Sequence, residues 1–389
     1  MNDREQGTGN REPGTGNGER GTPPCSNFPV SGFRFPVPVV DVIVVTWNAR
    51  PYLEELVRGL CVVDYPRDAF TVHIVDNASS DGSADYVKSV LANPPENLPK
   101  VVLHEPGSNT GFAAGNNLVM RTSTADYCYL LNHDAAFEEG SLREAVAVAE
   151  AHPNAGSVQS LLVLMQDPTT INSTGNDIHF AAFGYCRGYK QPVSEAPGDV
   201  QPIAYASGAG VLYRNSVLRE VGLLDETLFA YHEDLDLGWR MMIAGHDNLL
   251  APKSTLRHRY EFSRSVKKWY WMERNRWAVF LMNYRLGTII LTLPAMFVIE
   301  IATWLFAIKG GWIKEKGRAT AWFFKPSTWR YIVSTRRKTR SLRKRSDREI
   351  LKRFVSAIAY QDVESPFMRK VANPLMETYF AVLKFIVVW

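Results

Sequence analysis

Three observations predict an α/β protein with a mainly parallel central sheet, flanking helices and a C-terminal helical region associated with a membrane. From Val37 onward, β-branched runs alternate with helical periodicities; polar clusters fall at the ends of those runs; and the last third joins a strong basic charge to the most apolar stretch of the chain. Short apolar runs separated by amphipathic segments are the pattern of a parallel sheet covered on both faces. With 389 residues and 46% hydrophobic side chains, the chain is long and apolar enough to bury a substantial core.

Residues 1–36 contain the near-repeats REQGTGN, REPGTGN and GERGT, which offer almost nothing to bury and predict a disordered tail. Val37–Thr46 reads as a strand buried on both faces, and Tyr52–Leu60 as a helix with Leu53, Leu56, Val57 and Leu60 on one side. Thr71–Asp76 is a second strand, followed by a polar turn and a helix to about Leu91. Val101–His104 is a third, leading through the small-residue loop Asn109–Asn117 into a helix. Tyr127–Leu131 is a fourth, and residues 141–150 are expected to be helical. Residues 156–205 carry strand-like runs and many turn residues without a readable order. These segments make one domain over 37–262, with a second, helical and basic region over 263–389.

The net charge of +4 conceals an asymmetry: residues 251–389 hold 28 Lys and Arg against 9 Asp and Glu, so the first 250 residues are net acidic. A basic region that also contains the longest apolar run points to an anionic membrane surface rather than to nucleic acid. The four cysteines are scattered, with no C-x-x-C pair, which argues against a structural zinc site or a disulfide framework. The N-terminus lacks an apolar h-region, so no cleavable signal peptide is expected and the catalytic part is expected to stay in the cytoplasm.

In parallel sheets ligands bind beyond the carboxyl ends of the strands, and Thr46–Asn48, Asp76–Asp81 and Asn132–Asp134 all stand there. Asp76-Asn77 reads either as an Asx-turn or as a partner for the imide N–H of a pyrimidine ring. Asn132-His133-Asp134 reads as a capped turn or as hard oxygen donors of the kind Mg²⁺ or Mn²⁺ prefers. Ala206–Tyr213 places three small residues ahead of a strand, the sign of a close approach. Leu237, Met241 and Ala244 share one helix stripe and Gly245 supplies a stop, which predicts a helix over Glu233–Ala244. Glu233 and Asp234 then lie in its first turn, as ordinary helix-start acids or as ionised carboxylates available to accept a proton, with Asp236 and Arg240 paired at i, i+4. No G-x-x-x-x-G-K-[ST] run exists, which argues against P-loop ATP hydrolysis.

Taken together, the runs Val44-Val45-Thr46-Trp47-Asn48, Val75-Asp76-Asn77-Ala78-Ser79-Ser80-Asp81-Gly82-Ser83, Asn109-x-Gly111-Phe112-Ala113-x-Gly115-Asn116-Asn117, Leu130-Leu131-Asn132-x-Asp134, Ser207-Gly208-Ala209 and Tyr231-x-Glu233-Asp234-x-Asp236-Leu237-x-x-Arg240 resemble the inverting, GT-A-fold glycosyltransferases of family 2, in particular their rhamnosyltransferase-like branch. The resemblance covers roughly residues 38–285. It implies a nucleotide-sugar site at Thr46, Asn48, Asp76, Asn77, Asn109, Gly111, Asn132, Ser207 and Gly208, with Asp76 facing the base. It places Asp134 as the main ligand of a divalent metal, Mg²⁺ or Mn²⁺, with Asn132 standing where the family has its first Asp, and His258 as a further ligand. Asp234 matches the catalytic base, with Glu233 beside it. Transfer of rhamnose from dTDP-rhamnose to a glycan or a polyprenyl-linked acceptor, at the cytoplasmic face of the cell membrane, is the activity implied. Two other readings are a sugar-phosphate nucleotidyltransferase, which would carry a Gly-rich basic loop where this chain has Thr46–Pro51, and an inactive membrane scaffold of the same fold.

Past this region the aromatic residues Trp269, Tyr270, Trp271, Trp277 and Tyr284 precede the apolar run Leu286–Ile308, placement that suits a membrane interface. Pro294, Glu300 and basic flanks on both sides favour a kinked, re-entrant segment with residues 309–345 on anionic headgroups, a single span being the alternative. Tyr379–Trp389 is a second apolar run, either another dip or a packing helix.

Overall fold

The computed structural model describes residues 36–260, 266, 268–358, 366 and 368–389, so nearly all of the N-terminal tail lies outside the described residues. Strand β1 (Val40–Thr46) shows how the β-branched runs are used. Successive side chains alternate across a strand, and here Val40, Val42 and Val44 enter one core while Ile43 and Val45 enter another on the opposite face. Full burial of each such side chain stabilises by about 1.5–3 kcal/mol.

Chain order continues with α1 (Leu53–Cys61), β2 (Phe70–Asp76), α2 (Ser83–Ala92), β3 (Val101–His104), α3 (Gly111–Met120) and β4 (Tyr127–Leu131). The α1 stripe Leu53, Leu56, Val57 and Leu60 is buried, as its periodicity predicts. Next come β5 (Ala135–Phe137), α4 (Ser141–Ala151), β6 (Ala155–Leu164), β7 (Asp167–Ser173), β8 (Asn176–Ile178), β9 (Gly184–Cys186) and β10 (Gln201–Ile203). They are followed by β11 (Gly210–Arg214), α5 (Asn215–Val221), α6 (Glu233–Ile243) and β12 (Asp247–His258). The remainder is helical: α7 (Lys268–Asn283), α8 (Leu286–Lys309), α9 (Ile313–Trp322), α10 (Pro326–Leu342), α11 (Asp347–Leu351) and α12 (Asn373–Ile386).

Ten strands form one sheet, whose main path runs β10-β12-β6-β11-β4-β1-β2-β3. Strands β4, β1, β2 and β3 are mutually parallel, and β12 is parallel to β6. β11 is antiparallel to both of its neighbours, so the sheet is mixed, with its parallel half built by the βα alternations. The stretch 156–205, unreadable in order from sequence, supplies β6 at the centre of the sheet and β7 and β10 along its side.

Helix α6 departs from the single stripe its periodicity predicts. From Leu235 to Ile243 every residue is buried, because α7 and α10 cover the face that would otherwise meet water. The charges this traps are paired. Arg240 Nε donates to Asp236 Oδ2 at 2.7 Å, and its other nitrogens donate to the carbonyls of Val221, Gly222 and Leu223. Asn283 Nδ2 of α7 donates to Asp236 Oδ1 at 2.9 Å.

The C-terminal helices add a third core around Trp239, Phe280, Tyr284, Ile332 and Phe380. The kinked, re-entrant segment expected at 286–308 is instead one unbroken helix that continues through Pro294. The missing N–H of Pro294 lies on the exposed side, while Thr292 and Met296 on either side of it are buried against the fold and hold the helix in register. Glu300, which interrupts the apolar run, accepts from Arg276 at 3.2 Å, Lys316 at 2.8 Å and Trp277 Nε1 at 3.0 Å. The apolar run near the C-terminus is a packing helix on one face: Phe380 and Leu383 of α12 enter the third core beside Ile289 and Met296.

Removing one partner of a buried ion pair leaves an uncompensated charge and costs about 3–5 kcal/mol. Arg240→Ala is expected to lower the unfolding free energy of the full chain by that order, whereas Arg219→Ala should change it by less than about 0.5 kcal/mol. Urea unfolding followed by tryptophan fluorescence measures both.

Candidate active site

The parallel pairing of β1 with β2 sets Thr46 opposite Asp76. Thr46 Oγ1 donates to Asp76 Oδ1 at 3.0 Å, and Ser79 returns to the same carboxylate through its N–H at 2.9 Å and its hydroxyl at 2.6 Å. The Asx-turn reading of Asp76 is therefore realised, and the carboxylate still lines a cavity of about 390 Å³ with Ala78, Ser80, Asp85, Lys88 and Glu105. Asn48, at φ +52, ties the two loops together: its N–H donates to Ser79 Oγ and its Oδ1 accepts from the Ser80 N–H, each at 2.9 Å. Asn77 is buried and committed elsewhere, donating to the Gly111 carbonyl at 3.0 Å and accepting from Thr110 Oγ1 at 3.1 Å. Asn109 Oδ1 accepts from the Gly111 N–H at 2.9 Å. These two amides shape the loop before α3, and Gly111 itself is required there. At φ +86, a Cβ on it would stand 2.5 Å from the Phe229 ring.

Beyond β4, Asp134 and His258 are both buried and meet at 3.4 Å, with Asn132 Nδ2 3.4 Å from the same imidazole nitrogen. His258 Nδ1 faces Asn172 Oδ1 at 2.8 Å. With the amide oxygen as acceptor, Nδ1 carries the hydrogen and Nε2 turns its lone pair toward the Asp134 carboxylate. A buried carboxylate oxygen and an imidazole nitrogen this close are donors that a divalent cation takes, and a hydrogen bond at the other ring nitrogen is the usual support of a metal-bound histidine. Carboxylate oxygen and imidazole nitrogen fit Mn²⁺ well and Mg²⁺ less so. The site offers these two protein ligands; among the described residues no third His, Cys, Asp or Glu joins them.

The antiparallel pairing of β11 with β4 brings Ser207-Gly208-Ala209 alongside this loop, and the Asn132 N–H donates to the Ala209 carbonyl at 3.2 Å. Ser207 donates its N–H to Gln159 at 2.8 Å. The Gly208 N–H donates to Asp234 Oδ2 at 3.1 Å, and the Leu235 N–H to Oδ1 at 2.8 Å. Gly208 also sits against Phe112, whose ring a Cβ would meet at 2.9 Å.

Asp234 and Glu233 divide their charge unequally. Burial raises both carboxyl pKa values, but the Gly208 and Leu235 N–H groups oppose the rise at Asp234. Glu233 is pushed well above the carboxylate range by burial and by the charge of Asp234, and its Oε2 has no hydrogen-bond partner. Two adjacent carboxyls in a dry site share one charge between them. Asp234 has the donors that favour the charged form, and Glu233 Oε2 has none.

A family profile described as "Glycosyltransferase like family 2" matches residues 37–279, which include every residue named above. The chain belongs to glycosyltransferase family 2. Over 243 residues it is 25% identical to N-acetylglucosaminyl-diphospho-decaprenol L-rhamnosyltransferase of Mycobacterium tuberculosis, covering 57% of this chain and 76% of that protein. It is likewise 25% identical over 245 residues to the beta-monoglucosyldiacylglycerol synthase of Synechocystis, covering 62% of this chain and 48% of that protein. Among solved structures, that of GalNAc-T7 with UDP, GalNAc and Mn²⁺ superposes with a TM-score of 0.51 at 13% identity, over 64% of this chain and 48% of that one. The fold is GT-A, and the chain is a glycosyltransferase.

One functional residue of this glycosyltransferase escapes a reading of its sequence. The turn into α6 holds Phe229, Tyr231 and His232 at φ +67, +67 and +69. Non-glycine residues rarely adopt such angles, and each costs about 1–3 kcal/mol unless the surroundings impose it. Asn275 of α7 imposes it: its buried Nδ2 shares its two hydrogens among the carbonyls of Leu228 at 2.8 Å, Ala230 at 3.0 Å and Tyr231 at 2.6 Å. Asn275 stands among the aromatic residues of α7, 41 positions after Asp234 by residue number, and only the fold joins the two. Asn275→Ala is expected to leave those carbonyls unpaired and to cost about 1–3 kcal/mol. Because Asp234 follows within the same turn, transfer should fall further than the folded fraction does. Specific activity per folded molecule, with circular dichroism for the fold, measures the difference.

Proposed function

We propose that the chain moves a sugar from a nucleotide-sugar to a hydroxyl group with inversion at the anomeric carbon, Asp234 acting as the base. The observation that carries this reading is the placement of Asp234, its carboxyl held by two backbone N–H groups and adjacent to Glu233, next to the loop of Asn132 and Asp134. An ionised carboxylate whose pKa is raised toward neutrality is the form a general base takes.

In the proposed reaction Asp234 takes the proton of the acceptor hydroxyl as its oxygen attacks the anomeric carbon. The bond from that carbon to the diphosphate oxygen breaks on the opposite side, and the nucleoside diphosphate leaves. The cavity beside Thr46, Asn48 and Asp76 receives the base, Asn77, Asn109 and Gly111 shape its wall, and Asn132, Ser207 and Gly208 border the sugar. Mg²⁺ or Mn²⁺ held by Asp134 and His258 would offset the charge that gathers on the leaving diphosphate. Glu233 stays protonated and orients the acceptor. The mycobacterial relative, by its name an L-rhamnosyltransferase acting on a diphospho-decaprenol-linked sugar, supports rhamnose from dTDP-rhamnose as donor and a polyprenyl-linked or glycan acceptor. Such an acceptor, with the basic, apolar C-terminal region, supports work at the cytoplasmic face of the membrane.

Release of nucleoside diphosphate from a panel of dTDP-, UDP- and GDP-sugars, with and without Mn²⁺, tests the reading and names the donor. Nucleotide-sugar and pyrophosphate formed from a nucleoside triphosphate and a sugar phosphate would point to a nucleotidyltransferase, and no turnover with any donor to an inactive scaffold. Asp234→Asn should abolish transfer while donor affinity stays within a few-fold; retained turnover would sink the assignment.

The pH dependence follows from the sign of the shift. The ionised form of Asp234 is the active one and its pKa is raised, so kcat/KM should fall as pH drops, with the acid limb above the ordinary value of about 4. An acid limb at or below that value would show that burial does not tune the base. For the metal, Asp134→Ala and His258→Ala should each weaken Mn²⁺ binding by tenfold or more, read by calorimetry on the resting enzyme.

A further inference from the structure

We infer that α8 lies in the plane of an anionic phospholipid surface, one face sunk among the lipids and the other fastened to the enzyme, and does not cross the bilayer. The inference rests on the membrane location proposed above and assigns its geometry. Along the helix, Leu286, Ile290, Leu293, Phe297, Ile301, Leu305 and Ile308 recur at intervals of three or four residues, so they form one stripe. All are exposed, Phe297 to 69% and Leu305 to 62%. A contiguous apolar face of this extent on a folded protein marks an interaction surface.

The opposite stripe runs just as far and is polar where it meets the protein. Thr288 donates to Asp347 at 2.6 Å, Thr292 and Met296 are buried, Glu300 holds Arg276 and Lys316, and Thr303 Oγ1 accepts from Lys316 at 3.0 Å. Ala307 closes the stripe, also buried. At 1.5 Å per residue the helix is about 36 Å long, enough to span a hydrocarbon layer of about 30 Å. A span, however, would carry Asp347, Arg276 and Lys316 into hydrocarbon with it, since they are bonded to α8 from its first turns to beyond its middle. Lying flat avoids this, because only the exposed stripe need enter, to the ~5–10 Å depth of an interfacial helix.

Charge selects the partner. Lys309 at the end of α8, Lys314 and Arg318 on α9, Arg369 and Lys370 just before α12 and Lys384 on it are exposed, against one exposed carboxylate among the described residues of these segments, Glu377. The α12 helix packs beside the N-terminal part of α8: Tyr379 donates its hydroxyl to the Leu291 carbonyl, and Trp389 Nε1, just past its end, donates to Thr288 Oγ1 at 3.0 Å. It exposes Leu375, Val382 and Phe385. Apolar groups that enter the acyl boundary, with cations around them at headgroup level, fit an anionic lipid surface.

Flotation of the full chain with phosphatidylcholine vesicles, with and without phosphatidylglycerol, tests the partner. A fluorescent amino acid at Ile290, Phe297 or Leu305, quenched by lipids brominated at shallow or deep carbons, tests the geometry. Binding that needs phosphatidylglycerol, equal shallow depths at the three positions, and a loss of partition of about tenfold or more in the Phe297→Lys, Leu305→Lys double variant are expected. Both substituted side chains are exposed, so circular dichroism should be unchanged. A depth profile that is deepest at Phe297 and shallow at the other two would mean a span and overturn the in-plane inference, leaving the membrane location intact. Failure to float with either vesicle, or an apolar face occupied by a second copy in a size-exclusion dimer that the double variant dissolves, would overturn both.

Discussion

The amide nitrogen of Asn275 holds three carbonyls of a turn whose backbone would not keep its shape alone. That turn sets the direction in which α6 begins, and the first residues of α6 are Glu233 and Asp234. The same turn carries Phe229, whose ring rests against Gly111 and stacks on Trp271 at 4.6 Å, and whose carbonyl accepts from the Ala113 N–H at 3.1 Å. One amide therefore fixes the start of α6, the loop before α3 and, through both, the distance between the two halves of the site. The strain is local and its compensation comes from α7, a helix beyond the last strand of the sheet.

The unequal charge on the acidic pair depends on that geometry. The Gly208 N–H reaches Asp234 only because α6 enters beside β11, and Glu233 then points into a region without donors. His232 is no source of positive charge, since burial and the nearby Arg276 lower its pKa to about 4. Burial and the charge of Asp234 therefore push the Glu233 carboxyl well up, while the Asp234 carboxyl, also raised by burial, keeps two N–H donors that oppose the rise. Arg240, two turns further on, is tied to Asp236 and three carbonyls and so cannot reach Asp234.

The sequence made the parallel half of the sheet legible because its strands are unmixed apolar runs with polar clusters at one end. It hid β6, though all ten of its residues are buried. Ser157, Gln159 and Ser160 interrupt the apolar pattern, and only in the fold do they find Asn248 at 2.7 Å, Ser173 at 3.2 Å and Ser254 at 2.6 Å. Strand β12 was hidden for a related reason: Pro252 falls inside it, at a register irregularity between Ala251 and Thr255 that spares the ladder an absent donor. In the site, motif spacing located every loop but could not separate a side chain facing a ligand from one holding a loop. Asn48 and Asn77 look equivalent as letters, yet Asn48 stays exposed at the site while Asn77 is sealed beneath it.

The helices after the sheet are more than an appendage, for a reason that lies in α7. Residues Glu273 and Arg276 flank Asn275, and both join a buried network with Glu300 of α8 and Lys316 of α9. Burial alone would raise the Glu273 carboxyl, yet Arg276 and Lys316 hold it down at about 2, so Glu273 stays charged throughout the neutral range. Separating one member from the rest would cost about 3–5 kcal/mol. None of these bonds touches the strand ends where the cavity beside Asp76 lies. Their effect is to fix the axial position of α7, and the amide of Asn275 can reach three carbonyls only from that position. The exposed apolar helix α8 is thus tied through Glu300 and Lys316 to α7, the helix whose Asn275 holds the turn before Asp234.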